Sequence, residues 1–255
     1  LIFLAARATR TPEVVRATKQ RGMSFAAASP RRGTYGSEAS AQSLRKLKDL
    51  GVDWISLMPF GFHRGAADLT FGGENVWETD ASLLAAGQQA HALGIKVLLK
   101  PHVWGRSEQR TETWTDAEWR AWFDDYGRFA EHYATIARDA NADAFSIGNE
   151  QKIASRHEEE WRRIIARVRA IYAGPLTYGA NFDEVFDVPF WDALDWIGVS
   201  GYFPLTPDAT PDRATLIRAW QPVLAQLEQL SLREKKPILF TQIGYRSAKG
   251  AAWRP

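Results

Sequence analysis

Hydrophobic and polar positions repeat along the chain as an amphipathic stretch, a Leu-Gly pair and a short unbroken apolar run. "SLRKLKDLGVDWISLMPF" (43–60) and "LLAAGQQAHALGIKVLLKPH" (83–102) are near copies of this pattern. In each, the spacing predicts a helix closed by Gly51 or Gly94, because glycine takes the left-handed position after a helix without strain. The apolar run that follows reads as a parallel strand covered on both faces. "GMSFAAA" (22–28) is the first strand in this reading. Thr115 with Glu118 makes a capping box that opens a long helix through about Ala140. "DAFSIGN" (143–149) is the fourth strand. "HEEEWRRIIARVRAIYAG" (157–174) is amphipathic, with Trp161, Ile164, Ile165, Val168 and Ile171 on one side. "PLTYGAN" (175–181) and "DWIGVSGY" (195–202) are the fifth and sixth strands. Thr210 with Pro211 opens a further helix to about Leu232, and "PILFTQIG" (237–244) is the seventh strand.

Strands alternating with helices of this length imply an α/β protein with a parallel sheet. Seven strands without a dinucleotide-binding glycine fingerprint favour a (β/α)8 TIM barrel over a doubly wound sheet. No eighth strand or helix is visible before Pro255, and a barrel with an open seam exposes unpaired strand edges. The expectation is therefore a single barrel domain over 21–255 that is cut short at its C-terminal end, with a strand count wrong by one as the other reading. Residues 1–20 form an N-terminal lead segment. Its "LIFLAA" is far shorter than the roughly 20 apolar residues a membrane span needs. It reads either as the tail of an export segment or as a packed N-terminus. The compartment stays open, with a bacterial-type secreted or periplasmic protein favoured over a cytoplasmic one.

Composition narrows the chemistry. With 32 Lys and Arg against 30 Asp and Glu, the net charge is +2, and no basic stripe marks a nucleic-acid surface. Cysteine is absent, which excludes a disulfide framework and thiolate catalysis. The five His show no metal-ligand spacing, so no metal and no cofactor is expected. No G-x-S-x-G elbow or P-loop occurs. Eleven Trp are unusual for this length, and Trp77, Trp104, Trp114 and Trp191 sit beside Gly, Pro or polar residues, as cleft-lining indoles would.

In a TIM barrel the chemistry sits where strands end. Those ends carry Phe60; Lys100, His102 and Trp104; Asn149 and Glu150; Asn181; Tyr202; and Gln242 and Tyr245. The segment 61–80 reads as a long loop walling the cleft. A ring of amides, aromatics and one carboxylate points to carbohydrate. Glycoside hydrolysis, however, needs two carboxyl groups, and the second strand end carries Gln242. Glu150 has a plainer reading as a helix-capping carboxylate, and Lys100 as the partner of a carboxylate. Glu74, Glu78 and Asp80 are other acids from which a second catalytic group could come.

"RGMSFAAASPRRGTYGSEASAQSL", "DWISLMPFGF", "WETD", "GIKVLLKPHVW", "SIGNE", "SGYFPL" and "ILFTQIGYRS" together resemble glycoside hydrolase family 113, whose (β/α)8 enzymes are typified by endo-β-1,4-mannanases. The resemblance runs from about residue 21 onward. It implies a retaining hydrolase of β-1,4-mannan or manno-oligosaccharides, with an oligo- or polysaccharide as partner and no cofactor. It further implies that Glu150 is the acid/base and that Asn149 bonds the sugar 2-hydroxyl. Tyr202 would touch the nucleophile position or the sugar. Lys100, His102, Trp104, Trp77 and Asn181 would line the sugar subsites, beside Phe60 and Tyr245. The family's nucleophile is a Glu in "FTEIGY"; here Gln242 stands in its place. Gln keeps the size of Glu but cannot attack as an anion, so the chain reads as a nucleophile-inactivated form. A designed Glu→Gln change, a natural carbohydrate-binding pseudoenzyme, and a β-glycosidase of other specificity with a different second acid are the open origins.

Overall fold

The computed structural model describes residues 19–27, 34–72, 78–105 and 113–255. Trp77 and Glu74 lie outside the described residues. The strands are β1 (Gly22–Phe25), β2 (Trp54–Leu57), β3 (Phe60–His63), β4 (Leu69–Thr70), β5 (Lys96–Leu99), β6 (His102–Gly105), β7 (Ala144–Asn149), β8 (Leu176–Asn181), β9 (Ile197–Ser200) and β10 (Ile238–Gln242). The helices are α1 (Glu38–Asp49), α2 (Asp80–Ala92), α3 (Asp116–Asp139), α4 (Glu158–Ile171) and α5 (Arg213–Glu234).

Seven strands pair in parallel in the order β1-β2-β5-β7-β8-β9-β10 and curl into a nearly closed barrel of the TIM type. Among the described residues β1 and β10 remain its two edges, and a cavity of about 1140 Å³ opens between them. Each predicted strand falls at its expected place; the central runs are buried on both faces, with all six residues of β7 buried, while the edge strand β1 is largely exposed. The Leu-Gly punctuation works as expected, with Gly51 at φ +82 and Gly94 at φ +65. Thr115 and Glu118 form both halves of the capping box on α3.

Three expectations need correction. First, α5 does not start at Thr210–Pro211. Its cap is Asp212, whose side chain accepts from Thr215 N at 2.7 Å, while Thr210 N is bonded to Asp208 Oδ1. The Asp212 carboxylate accepts from a free helix N–H, whereas the Pro211 ring has no acceptor to offer. Second, 61–80 is not a plain loop. β3 and β4 lie in it, and with β6 they form a small sheet in the order β4-β3-β6. β3 and β6 continue β2 and β5 past the barrel mouth, after interruptions at Pro59 and Pro101, where no N–H is available for the ladder. Lys100 N to Leu57 O (2.8 Å) and His102 N to Pro59 O (2.8 Å) carry the pairing across the break. Third, Trp191 is core rather than cleft. It is buried, and its Nε1 donates to Val185 O at 3.0 Å. Trp114 packs against His63 and Trp119, also on the core side.

The outer shell between α3, α4 and the barrel is aromatic. Trp122, Phe123, Tyr126, Trp161, Tyr178 and Phe190 meet mostly edge to face, an arrangement that suits their quadrupoles. This rigid layer backs the strand ends of β7 and β8. The outer sheet is tied down to α3 through Leu69 N to Asp125 Oδ2 (3.3 Å) and Gly72 N to Tyr133 OH (3.4 Å). Among the described residues no helix is long and apolar enough to cross a membrane.

Candidate active site

The ends of β7 and β10 share a local irregularity. Between Ser146 and Asn149, β7 carries one more residue than its partner β8; between Phe240 and Gln242, β10 carries one more than β9. Such bulges re-aim the side chains that follow them. They sit directly before the Asn149–Glu150 pair and before Gln242.

At Glu150 the backbone turns into the left-handed region, φ +56. For a residue with a side chain this costs about 1–2 kcal/mol, and the neighbouring contacts hold it. Glu150 N donates to Gly179 O at 2.9 Å, and Gln151 N donates to the Tyr178 hydroxyl at 2.8 Å. Gly179 is required by close approach: a Cβ there would stand 2.4 Å from Asn149 Oδ1. The missing side chain leaves room for Asn149, which is buried with Oδ1 unpartnered and Nδ2 on His102 Nδ1 at 3.1 Å. An amide nitrogen only donates, so Nδ1 of His102 accepts and its proton sits on Nε2. Burial, helped by the nearby Lys100 cation, pushes His102 down to about 4 and keeps it neutral.

Lys100 is fully buried at the end of β5, and its Nζ donates to Gln242 Oε1 at 3.1 Å. Burial pushes its ammonium down to about 8, against the opposing pull of Glu150. Tyr202 hydrogen-bonds Gln242 as well, and burial together with the Glu150 charge raises its hydroxyl. Lys100, Glu150, Tyr202 and Gln242 thus converge at one mouth. The cation has consequences for stability. Below pH 8 both folded and unfolded chains hold the Lys100 proton, and the folded state bears the burial cost. Between about 8 and 10.5 only the unfolded chain holds it, so stability rises with pH. At about 1.4 kcal/mol per pH unit this amounts to on the order of 3 kcal/mol. Urea unfolding at pH 7 and pH 10 is expected to show the parent gaining by about that much on Lys100→Met; a gap independent of pH would contradict it.

On the outer sheet, Phe60 stacks on His102 (5.8 Å, 28°) and tilts against Trp104 (5.7 Å). Trp104 is 60% exposed, so an indole face is open to solvent beside the mouth. Phe60 N is held by the buried carboxylate of Glu78 at 2.8 Å, and burial raises that group to about 7. Asp80 pairs with His132 Nε2 at 2.9 Å. These two acids of segment 61–80 are therefore engaged in holding the wall.

Other expected residues are placed less centrally. Asn181 uses Oδ1 on its own turn, accepting from Phe182 N at 3.0 Å. Tyr245 donates to Phe203 O at 2.8 Å and lines a separate cavity of about 540 Å³ with Trp220 and Arg246. Two residues absent from the sequence reading stand behind the site, Tyr178 and Glu184. Their only sequence signal is a Glu three residues after the strand-end Asn in "NFDE", the spacing of a capping box. Among the described residues no group of three or more His, Asp and Glu is disposed to hold a metal ion.

The sequence profile of Glycoside Hydrolase Family 113 matches residues 23–255. The chain belongs to this family. As a GH113 protein it is similar in structure to the β-mannanase AaManA from Alicyclobacillus acidocaldarius, solved in complex with ManMIm. That likeness has 31% identity and a TM-score of 0.77, over 92% of this chain and 75% of that one. A GH113 β-1,4-mannanase solved as a complex gives 28% identity and a TM-score of 0.79, with the same coverage. A β-glucuronidase from Ruminococcus gnavus, at 13% identity and a TM-score of 0.60 over 90% of this chain and 35% of that one, shares the fold alone. No curated protein matches in a sequence search.

Proposed function

We propose that this GH113 barrel is built to cleave β-1,4-mannan with retention of configuration, and that Gln242 leaves it able to bind the sugar but not to form the covalent intermediate. The observation that carries this reading is the meeting of Lys100 with Gln242 at the barrel mouth, where the Glu150 charge acts on both Lys100 and Tyr202. In a retaining glycosidase two carboxyl groups stand roughly 5–5.5 Å apart, one attacking the anomeric carbon and the other protonating the leaving oxygen. Glu150 takes the acid/base role and position 242 that of the nucleophile. The amide at 242 accepts from Lys100, so the position is occupied by a polar group, yet it offers no anion to the sugar.

Asn149 supports the same reading, standing next to Glu150 at the end of β7 with its Nδ2 on His102 Nδ1, in the place of the residue that bonds the sugar 2-hydroxyl. Phe60 and the exposed face of Trp104 offer apolar surface on which a pyranose ring stacks. A natural binding protein with the same cleft is favoured by one feature, the hydrogen bond from Lys100 that the Gln242 amide oxygen already accepts. Calorimetric titration of the chain with mannohexaose is expected to give micromolar binding, weakened at least tenfold by Trp104→Ala. Failure to bind any β-mannan oligosaccharide at millimolar concentration would remove the reading.

A further inference from the structure

We infer that Tyr178 and Glu184 are positioning residues, which together hold the left-handed turn that sets the direction of the Glu150 side chain. The inference rests on the reading of Glu150 as the acid/base. Among the described residues two other non-glycine positions have positive φ, Asn141 and Lys235. Asn tolerates that region through its short polar side chain, and Lys235 caps the end of α5. Glu150 has neither excuse. It follows a strand directly and belongs to a residue type that avoids this conformation.

The turn is fixed at Gln151. Its N–H donates to the Tyr178 hydroxyl (2.8 Å), its Nε2 to Asn149 O (3.2 Å), and its carbonyl accepts from Ser155 N (2.7 Å). The Tyr178 contact is the one that arrives from a side chain on the neighbouring strand. That hydroxyl accepts from Gln151 and donates in turn to Glu184 Oε1 at 2.6 Å. The second carboxylate oxygen, Oε2, accepts from Asn181 N at 3.0 Å. The carboxylate therefore holds two residues of β8, and the Tyr178 hydroxyl carries the link across to Gln151 just past the end of β7. Tyr178 is fully buried and Glu184 is 2% exposed, with Trp161, Phe190 and Trp191 packed around the ring. Burial raises the Tyr178 hydroxyl well above its ordinary range, so it keeps the proton it donates. Without that hydroxyl, the Gln151 N–H and Oε1 of Glu184 would each lose the hydrogen bond they make to it, and only Oε2 would keep its donor. Turning the 150–151 peptide out of the left-handed region relieves the strain and carries the Glu150 side chain with it.

The test has two arms. In the chain as it stands, amide hydrogen exchange is compared with Tyr178→Phe and Glu184→Gln. The Gln151 amide is expected to exchange about 100-fold faster in Tyr178→Phe, by an intermediate factor in Glu184→Gln, and the amides of Ile164 and Ile165 in α4 at parent rates. In a Gln242→Glu background, Tyr178→Phe is expected to lower kcat for manno-oligosaccharides by about 30-fold with KM little changed, less than the roughly 10²–10⁴-fold that outright loss of general acid catalysis costs. A dinitrophenyl mannoside, whose leaving group needs no proton, should lose less than threefold in its first step. Loss of general packing would depress both substrates alike. Unchanged Gln151 exchange, or equal losses on the two substrates, would overturn the inference; parent-like exchange in Glu184→Gln would remove Glu184 from it. If Gln242→Glu cleaves no β-mannoside, the mannanase reading fails by itself, and the exchange arm still decides whether the pair holds the turn.

Discussion

Gln242→Glu is expected to raise hydrolysis of β-1,4-mannan on the order of 10⁴-fold, the scale on which enzymes lose rate when a group acting on the reacting atoms is removed. The site around position 242 is already shaped for a carboxylate. Lys100 Nζ lies 3.1 Å from the amide oxygen, is fully buried, and is held below its ordinary range by that burial. A carboxylate there gives the ammonium a counter-ion, and the ammonium in turn keeps the carboxylate ionised and ready to attack. The pairing also restores Lys100 toward its usual range, so the rise in stability between pH 8 and 10 should shrink in the same variant. Reducing-sugar release from mannan measures the first effect. Trapping with a 2-fluoro-mannosyl fluoride, followed by peptide mass mapping, tells whether the sugar ester forms at residue 242. A variant that folds, binds mannohexaose and still releases nothing from any β-mannan or other β-glycan would exclude position 242 as the nucleophile.

Glu150→Ala in that restored background should remove most activity on mannan, on the order of 10²–10⁴-fold, because the leaving sugar alkoxide then departs without a proton. The two half-reactions should respond differently. With a dinitrophenyl leaving group the first step survives and the glycosyl-enzyme accumulates, since deprotonation of the attacking water is also lost. A burst of dinitrophenol followed by a slow steady state is the expected trace. Small anions such as azide, which need no general base, should speed the second step and yield a β-mannosyl azide. Equal loss on activated and unactivated substrates, with no burst, would reassign Glu150 to a structural role such as capping.

The local rules were legible in the chain because each is a short-range matter. Leu-Gly pairs at 50–51 and 93–94 end helices, as glycine alone takes that backbone shape freely, and the Thr115–Glu118 box closes on residues three apart. Doubly buried strands such as 144–149 announce themselves as apolar runs, and their alternation with helices permits few topologies. The strand-end residues Lys100, Asn149, Glu150, Tyr202 and Gln242 followed from that alternation, since the barrel mouth collects whatever ends its strands. Contacts between distant segments had no such signal. The outer sheet was hidden because β4 has only two residues, and β3 pairs with β6 some forty positions later. Trp191 looked like a cleft residue from its neighbours in sequence, whereas the Val185 carbonyl and the packed rings around it place it in the core. The bond from Lys100 to Gln242 spans 142 positions, and the clamp of Glu184 on Tyr178 and Asn181 depends on which way two turns face. Sequence alone determined the order of elements and the kinds of side chain delivered to the mouth. Only closure of the sheet decided which of them touch, because a hydrogen bond is fixed within a few tenths of an ångström, while the sequence fixes a strand end only to within a residue or two.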